Sequence, residues 1–135
     1  MMEELGKAAV KAREQAYVPY SKFKVGAAVL GKSGQIFTGC NIENASYGLS
    51  NCAERTAIFK AVSAGETELT TIAVVADTPG PVSPCGACRQ VMAEFGISQI
   101  ILMNLKGDRR LVTMDELLPF SFAKVDFYKD GDNNE

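Results

Sequence analysis

The chain has 135 residues, 47% hydrophobic and 22% charged, with a formal net charge of −2. That length and composition suit one domain, residues 1–135, with a true core. The near-neutral charge and the lack of a Lys/Arg block exclude a phosphate-tracking surface, so nucleic acid is not expected as a partner.

Glu3–Ala16 reads as an amphipathic helix, with Leu5, Ala8, Ala9, Ala12 and Ala16 at helical spacing and Pro19 ending any continuation. Lys24–Leu30 and Gln35–Asn41 read as strands. The Gly31-Lys32-Ser33-Gly34 turn between them predicts an antiparallel hairpin. Cys52–Ala64 is a second helix, stopped by Gly65, and Leu69–Ala76 is an apolar, β-branched strand. After a turn-rich loop, Asp77–Pro84, come a third helix over Cys85–Phe95 and a buried strand over Gln99–Asn104. Arg109–Val112 is a short strand, and Thr113-Met114-Asp115-Glu116 fits a capping box opening a short helix. Asp130–Glu135 reads as a frayed tail.

Strand–helix–strand units in this order predict parallel neighbours joined by right-handed crossovers. The expected fold is α/β, a three-layer sandwich with a mixed five-stranded sheet covered by helices. The acidic start Met1-Met2-Glu3-Glu4 is unlike a secretory signal, and no apolar run is long enough to span a bilayer. The expectation is a cytoplasmic protein with no membrane partner, in which four cysteines serve as ligands or catalytic groups rather than disulfides.

The chain contains no histidine. Acid–base work therefore falls to carboxylates, and a zinc site falls to thiolates. Cys85 and Cys88, in Pro84-Cys85-Gly86-Ala87-Cys88, have the short spacing that grips one metal ion, and Cys52 opens another helix. Three protein ligands leave a tetrahedral position open, as catalytic zinc requires. Helix N-termini favour the ionised thiols. Three thiolates leave excess negative charge on the site, which Arg55 is placed in sequence to offset by bonding ligand sulfurs. Glu54 is the candidate for moving protons to and from water and substrate. Residues 52 and 54 do not share a face of a regular helix. The pairing therefore requires Cys52 at an irregular helix entry and a Glu54 side chain that reaches back.

Other readings of these residues stand beside this one. Asn51 and Glu54 could form a capping pair, and a lone C-x-x-C could be a redox pair. Cys40 is either a fourth ligand closing a structural zinc site or a small core residue. Asn41 and Glu43, two apart at a strand end, suit a sugar hydroxyl that donates and accepts; they could equally cap loop backbone. Phe23 and Phe122 are core residues on composition alone.

Several segments together are more specific: Pro19-Tyr20-Ser21-Lys22-Phe23, Val25-Gly26-Ala27-Ala28, Gly39 to Tyr47, Cys52-Ala53-Glu54-Arg55-Thr56-Ala57, Pro84 to Gln90 and Leu117-Leu118-Pro119. Through them the chain resembles, over nearly its whole length, the small homotetrameric class of zinc-dependent cytidine deaminases. The resemblance implies one Zn²⁺ per chain on Cys52, Cys85 and Cys88, with Glu54 as proton shuttle and the Ala53 N–H holding the base carbonyl. It implies ribose contacts from Asn41 and Glu43 and packing by Phe23 near the nucleoside. Ala45 and Tyr47 would shape a neighbouring subunit's site, and Phe122, or its rival Phe120, would close over the base from a neighbour. It also implies that carbonyls around Ser83 and Pro84 receive the departing amine.

The implied activity is deamination of free cytidine and deoxycytidine. Three alternatives are a deaminase of a cytosine-containing antibiotic, a polynucleotide deaminase, and a non-enzymatic interaction module on a four-cysteine zinc site. The −2 charge opposes the polynucleotide reading.

Overall fold

The computed structural model describes residues 1–127 of the 135, and the expected tail at 130–135 lies outside them. In chain order the elements are α1 (Met2–Arg13), β1 (Val25–Gly31), β2 (Ile36–Cys40), α2 (Ala53–Ser63), β3 (Leu69–Ala76), α3 (Gly86–Glu94), β4 (Gln99–Asn104), β5 (Arg109–Thr113) and α4 (Met114–Leu117). The capping box at Thr113–Glu116 forms as the motif predicts.

The five strands make one mixed sheet in the order β2-β1-β3-β4-β5. Alternation along the strands separates two cores. Ala27, Val29, Ile72, Val74, Ile100 and Leu102 face α2 and α3, packing with Ala57, Ile58 and Met92. Ala28, Ala73, Val75, Ile101 and Met103 face α1 through Leu5 and Ala9. The layers are therefore α1, sheet, then α2 with α3.

Two expectations change. Among the described residues, only β3–α3–β4 joins parallel neighbouring strands. β2–α2–β3 also joins strands running the same way, but β1 lies between them, antiparallel to both. The short hairpin turn commits one edge of β1 to β2, so β3 takes the other edge. The first helix stops at Arg13 rather than Ala16. Tyr17 instead bonds strand-fashion to the extension of β2, its N–H donating to the Asn41 carbonyl and its carbonyl accepting from Glu43 N–H.

Close approach of α1 to the sheet depends on Gly26, where a Cβ would come 2.1 Å from the Ala9 carbonyl oxygen. No helix of the described residues is long and apolar enough to cross a membrane.

Candidate metal centre and substrate cavity

The two cysteine-bearing helices begin in the same way. Cys52 is the N-cap of α2 and Cys85 the N-cap of α3, both extended, with ψ of 154° and 167°. Neither cap is closed by a side-chain hydrogen bond. The first-turn N–H groups of a helix have no partner within the helix, and the helix dipole favours negative charge there. Cys88 lies in the first turn of α3 and is fully buried.

The three sulfurs lie within 4.8 Å of one another. Cys52 and Cys85 Sγ are 3.9 Å apart, and Cys85 and Cys88 Sγ 3.5 Å. Tetrahedral zinc with Zn–S of about 2.3 Å requires sulfurs roughly 3.8 Å apart, so the cluster fits that ion. Cys40 is not part of the cluster: it ends β2, half-buried, and burial raises its pKa against the pull of Lys60. Among the described residues the group is therefore a three-thiol site rather than a closed four-cysteine one.

Charge around the sulfurs is uneven. Cys52 is drawn down to about 5, first by its hydrogen bond with Cys88 and then by Arg55, against its own burial. Cys88 is pushed up, because Cys52 holds its proton and because it is buried beside Glu54. A dication can take the place of that shared proton. Arg55 Nη2 donates to Cys52 Sγ at 3.3 Å, the contact expected for charge compensation. Its Nε is buried without a hydrogen-bond partner among the described residues, a cost that negative charge on sulfur offsets.

Glu54 is 4% exposed. Burial lifts its carboxyl to about 7, and the neighbouring Cys52 adds to the effect. Its own backbone N–H and the Cys88 thiol act in the opposite direction. Cys52 is the extended N-cap outside the regular helix, and it lines one cavity with Glu54. The capping pair is not formed: Asn51 Nδ2 donates instead to Thr56 Oγ1 at 3.0 Å.

A cavity of about 210 Å³ opens above the cluster, lined by Phe23, Val25, Asn41, Cys52, Ala53, Glu54, Val74, Val82, Ser83 and Cys85. It gathers Phe23, Asn41 and the adjacent pair Ala53 and Glu54 from three separate segments. Residues 41–43 hold these segments together. Ile42 exchanges two backbone hydrogen bonds with Asn51, next to Cys52, while Asn41 and Glu43 bond Tyr17 on the other side. Asn41 Oδ1 accepts from Val25 N–H at 2.9 Å, and its Nδ2 donates to the Phe23 carbonyl at 2.8 Å. Glu43 accepts from the N–H groups of Tyr20 and Ser21 and from the Ser21 hydroxyl. The loop-capping role is thus real at both positions, and it leaves each side chain further hydrogen-bonding capacity.

Glu43, Ala45, Tyr47 and Phe122 do not line the cavity. Tyr47 and Phe122 are 64% and 58% exposed, and Phe122 stacks edge-on against Phe127 with ring centroids 5.3 Å apart. Phe120 is fully exposed, at a left-handed φ of 55°.

Sequence reasoning missed Val25, Val74 and Val82 as cavity walls, because the strand pattern marks the first two only as apolar and Val82 lies in the turn-rich 77–84 loop. It also missed two supports. Asn104, 2% exposed, donates through Nδ2 to the Thr78 and Pro79 carbonyls and to Asp108. It thereby fixes the start of the loop that carries Val82 and Ser83. A polar residue closing an apolar strand was the available signal. Arg89 donates through Nε to the Pro84 carbonyl and through Nη1 to that of Leu117, each at 2.9 Å. Of that pair, Ser83 lines the cavity and Pro84 does not.

Comparison with known proteins agrees with this architecture. The family model for the cytidine and deoxycytidylate deaminase zinc-binding region matches residues 1–104. The cytidine deaminase of Sporosarcina psychrophila is 61% identical over 127 residues, 93% of each chain. That of Mycobacterium tuberculosis is 43% identical over 118 residues, covering 87% of this chain and 86% of the relative. The crystal structure of cytidine deaminase from Burkholderia pseudomallei superposes with a TM-score of 0.87 at 53% identity, covering 90% of this chain and 99% of that one.

Proposed function

The chain belongs to the cytidine deaminase family, and from that membership we propose that it deaminates free cytidine and deoxycytidine to uridine and deoxyuridine, releasing ammonia in pyrimidine salvage. The observation that carries the reading is one cavity lined by the buried carboxyl of Glu54 and by Cys52 and Cys85, two of three clustered thiols.

Cys52, Cys85 and Cys88 would hold the zinc ion. Bound there, zinc would supply the Lewis acidity that makes water a competent nucleophile at neutral pH. Glu54 takes a proton from that water and delivers it to ring N3. A pKa near 7 suits a group that must both accept and donate. Glu54 then takes the proton left on the oxygen now at C4 and passes it to the amine as the C4–N bond breaks, while the Ser83 carbonyl accepts hydrogen bonds from that amine. The Ala53 N–H holds the base carbonyl, and Phe23 packs against the nucleoside. Asn41 and Glu43 take a ribose hydroxyl with the capacity left over from their loop contacts. Arg55 keeps the thiolate cluster from becoming too negative.

A single deaminase domain and a homotetramer complete the reading. All five strands lie in one sheet, which supports one domain. Ala45, Tyr47 and Phe122 are exposed and lie off this chain's own cavity, which supports their use at a neighbour's site. Reduced thiols suit the cytoplasm.

The test is ultraviolet absorbance of cytidine incubated with zinc-loaded protein, with ammonia assayed in parallel. Matching loss of the cytidine spectrum and release of ammonia is the expected result. No change with one zinc bound per chain would reject the activity.

A further inference from the structure

Ser21 stands at a junction that the proposed chemistry does not use. Its hydroxyl donates to the Glu43 carboxylate, and the same oxygen accepts from Phe23 N–H at 3.0 Å. Glu43 also accepts from Tyr20 and Ser21 N–H at 3.0 and 3.1 Å. Between Ser21 and Phe23 the backbone of Lys22 is left-handed, with φ of 61°. A lysine in that conformation stays there only when its surroundings hold it. The turn is therefore pinned by Glu43 on one side and by Asn41, through the Phe23 carbonyl, on the other.

Hydrogen-bond capacity makes the arrangement selective. An ionised carboxylate offers about four acceptor sites, and three donors already reach Glu43. Asn41 has used one of its two donor hydrogens on Phe23 and one acceptor site on Val25. What remains is roughly one acceptor from Glu43 and a donor with an acceptor from Asn41, a set that suits a hydroxyl which donates once and accepts once.

We propose that Ser21 is a positioning residue for the sugar end of the site: it locks the Glu43 carboxylate so that one acceptor is left for a ribose hydroxyl, and ties that carboxylate to the backbone of Phe23. The proposal rests on the reading that Glu43 binds the sugar. Ser21 does not line the cavity, so its effect falls on substrate affinity and depends on the sugar hydroxyls.

The test compares zinc-loaded wild type, Ser21→Ala, Ser21→Thr and Glu43→Gln on cytidine and on 2′,3′-dideoxycytidine. Loss of one hydrogen bond to a charged group predicts about a tenfold rise in KM for cytidine in Ser21→Ala, with kcat held within about twofold. Ser21→Thr restores KM. On the dideoxynucleoside the Ser21→Ala penalty in kcat/KM disappears. An equal penalty on both substrates would reduce Ser21 to a structural loop residue and overturn the proposal. An unchanged KM in Ser21→Ala beside a raised one in Glu43→Gln would overturn it while leaving the sugar role of Glu43 standing. Unchanged KM in both variants would remove Glu43 from the sugar site, and the proposal with it.

Discussion

Gly39 and Ala57 are in backbone contact: a methyl group on Gly39 would lie 2.4 Å from the Ala57 nitrogen and 2.7 Å from the Ala53 carbonyl oxygen. The helix that begins at Cys52 therefore rests directly on β2, and its first turn, with Ala53 and Glu54, is set by that contact. Gly39→Val should cost about 1–3 kcal/mol through overpacking. Because backbone cannot yield as a side chain would, it should also displace Cys52 and weaken zinc binding. Urea midpoints and zinc content of the purified variant check both. A stable variant with full zinc would show that α2 has slack against the sheet.

Zinc content separates the cysteines. Cys40→Ser should keep one zinc per chain and most activity, since Cys40 lies outside the thiol cluster. Cys88→Ser should lose both, as its sulfur is a buried member of the cluster. Metal analysis after dialysis decides between them, and zinc loss in Cys40→Ser would revive the closed four-cysteine site.

Glu54 sets a pH dependence whose sign follows from its burial. Its carboxyl is raised from 4.5 to about 7 in the folded chain. Between those values the folded state holds a proton that the unfolded chain has released, so stability falls as pH rises. The penalty is absent below about pH 4.5 and complete above about pH 7, where it reaches roughly 3 kcal/mol. In metal-free protein Glu54→Gln should therefore be stabilising at pH 8 and near-neutral at pH 4.5, read from urea midpoints. The zinc-loaded variant should retain metal and lose turnover by about a hundred- to ten-thousandfold. Equal stability shifts at both pH values would contradict the buried carboxyl.

Arg55 bonds Cys52 directly. Arg55→Gln should leave the fold intact and lower kcat/KM by about 10–100-fold, the usual scale for a partner of a metal ligand. Circular dichroism and steady-state kinetics on the same sample test this. Wild-type kinetics would mean the guanidinium charge is not felt at the metal.

Asn104 makes a prediction at a distance. Asn104→Ala strands the N–H groups of Lys106 and Asp108 and frees the start of the 77–84 loop. A loss of about 1–3 kcal/mol is expected, with a raised KM from the displaced Val82–Ser83 wall. Destabilisation without any kinetic change would confine Asn104 to the β4–β5 turn.

Much of this was legible in the sequence because it depends on residue type and local spacing. With no histidine, Cys52 and Cys85-x-x-Cys88 at helix starts point to a thiolate-bound metal, and the family resemblance adds Glu54 as the carboxylate beside it. Strand and helix order follows from periodicity, so β3 and β4 match the expected ranges residue for residue. Long-range contacts decided the rest. β1 came to lie between β2 and β3 because the hairpin filled one edge of β1 and left the other open. Glu54 moved to a pKa near 7 because the fold buries it, whereas a glutamate one turn along a solvated helix would titrate normally. Ala45, Tyr47 and Phe122 fell outside the chain's own cavity because the segments carrying them run along its surface. Residue chemistry is written in each side chain; pairing, burial and exposure belong to pairs of residues far apart in sequence, and only the packed chain assigns them.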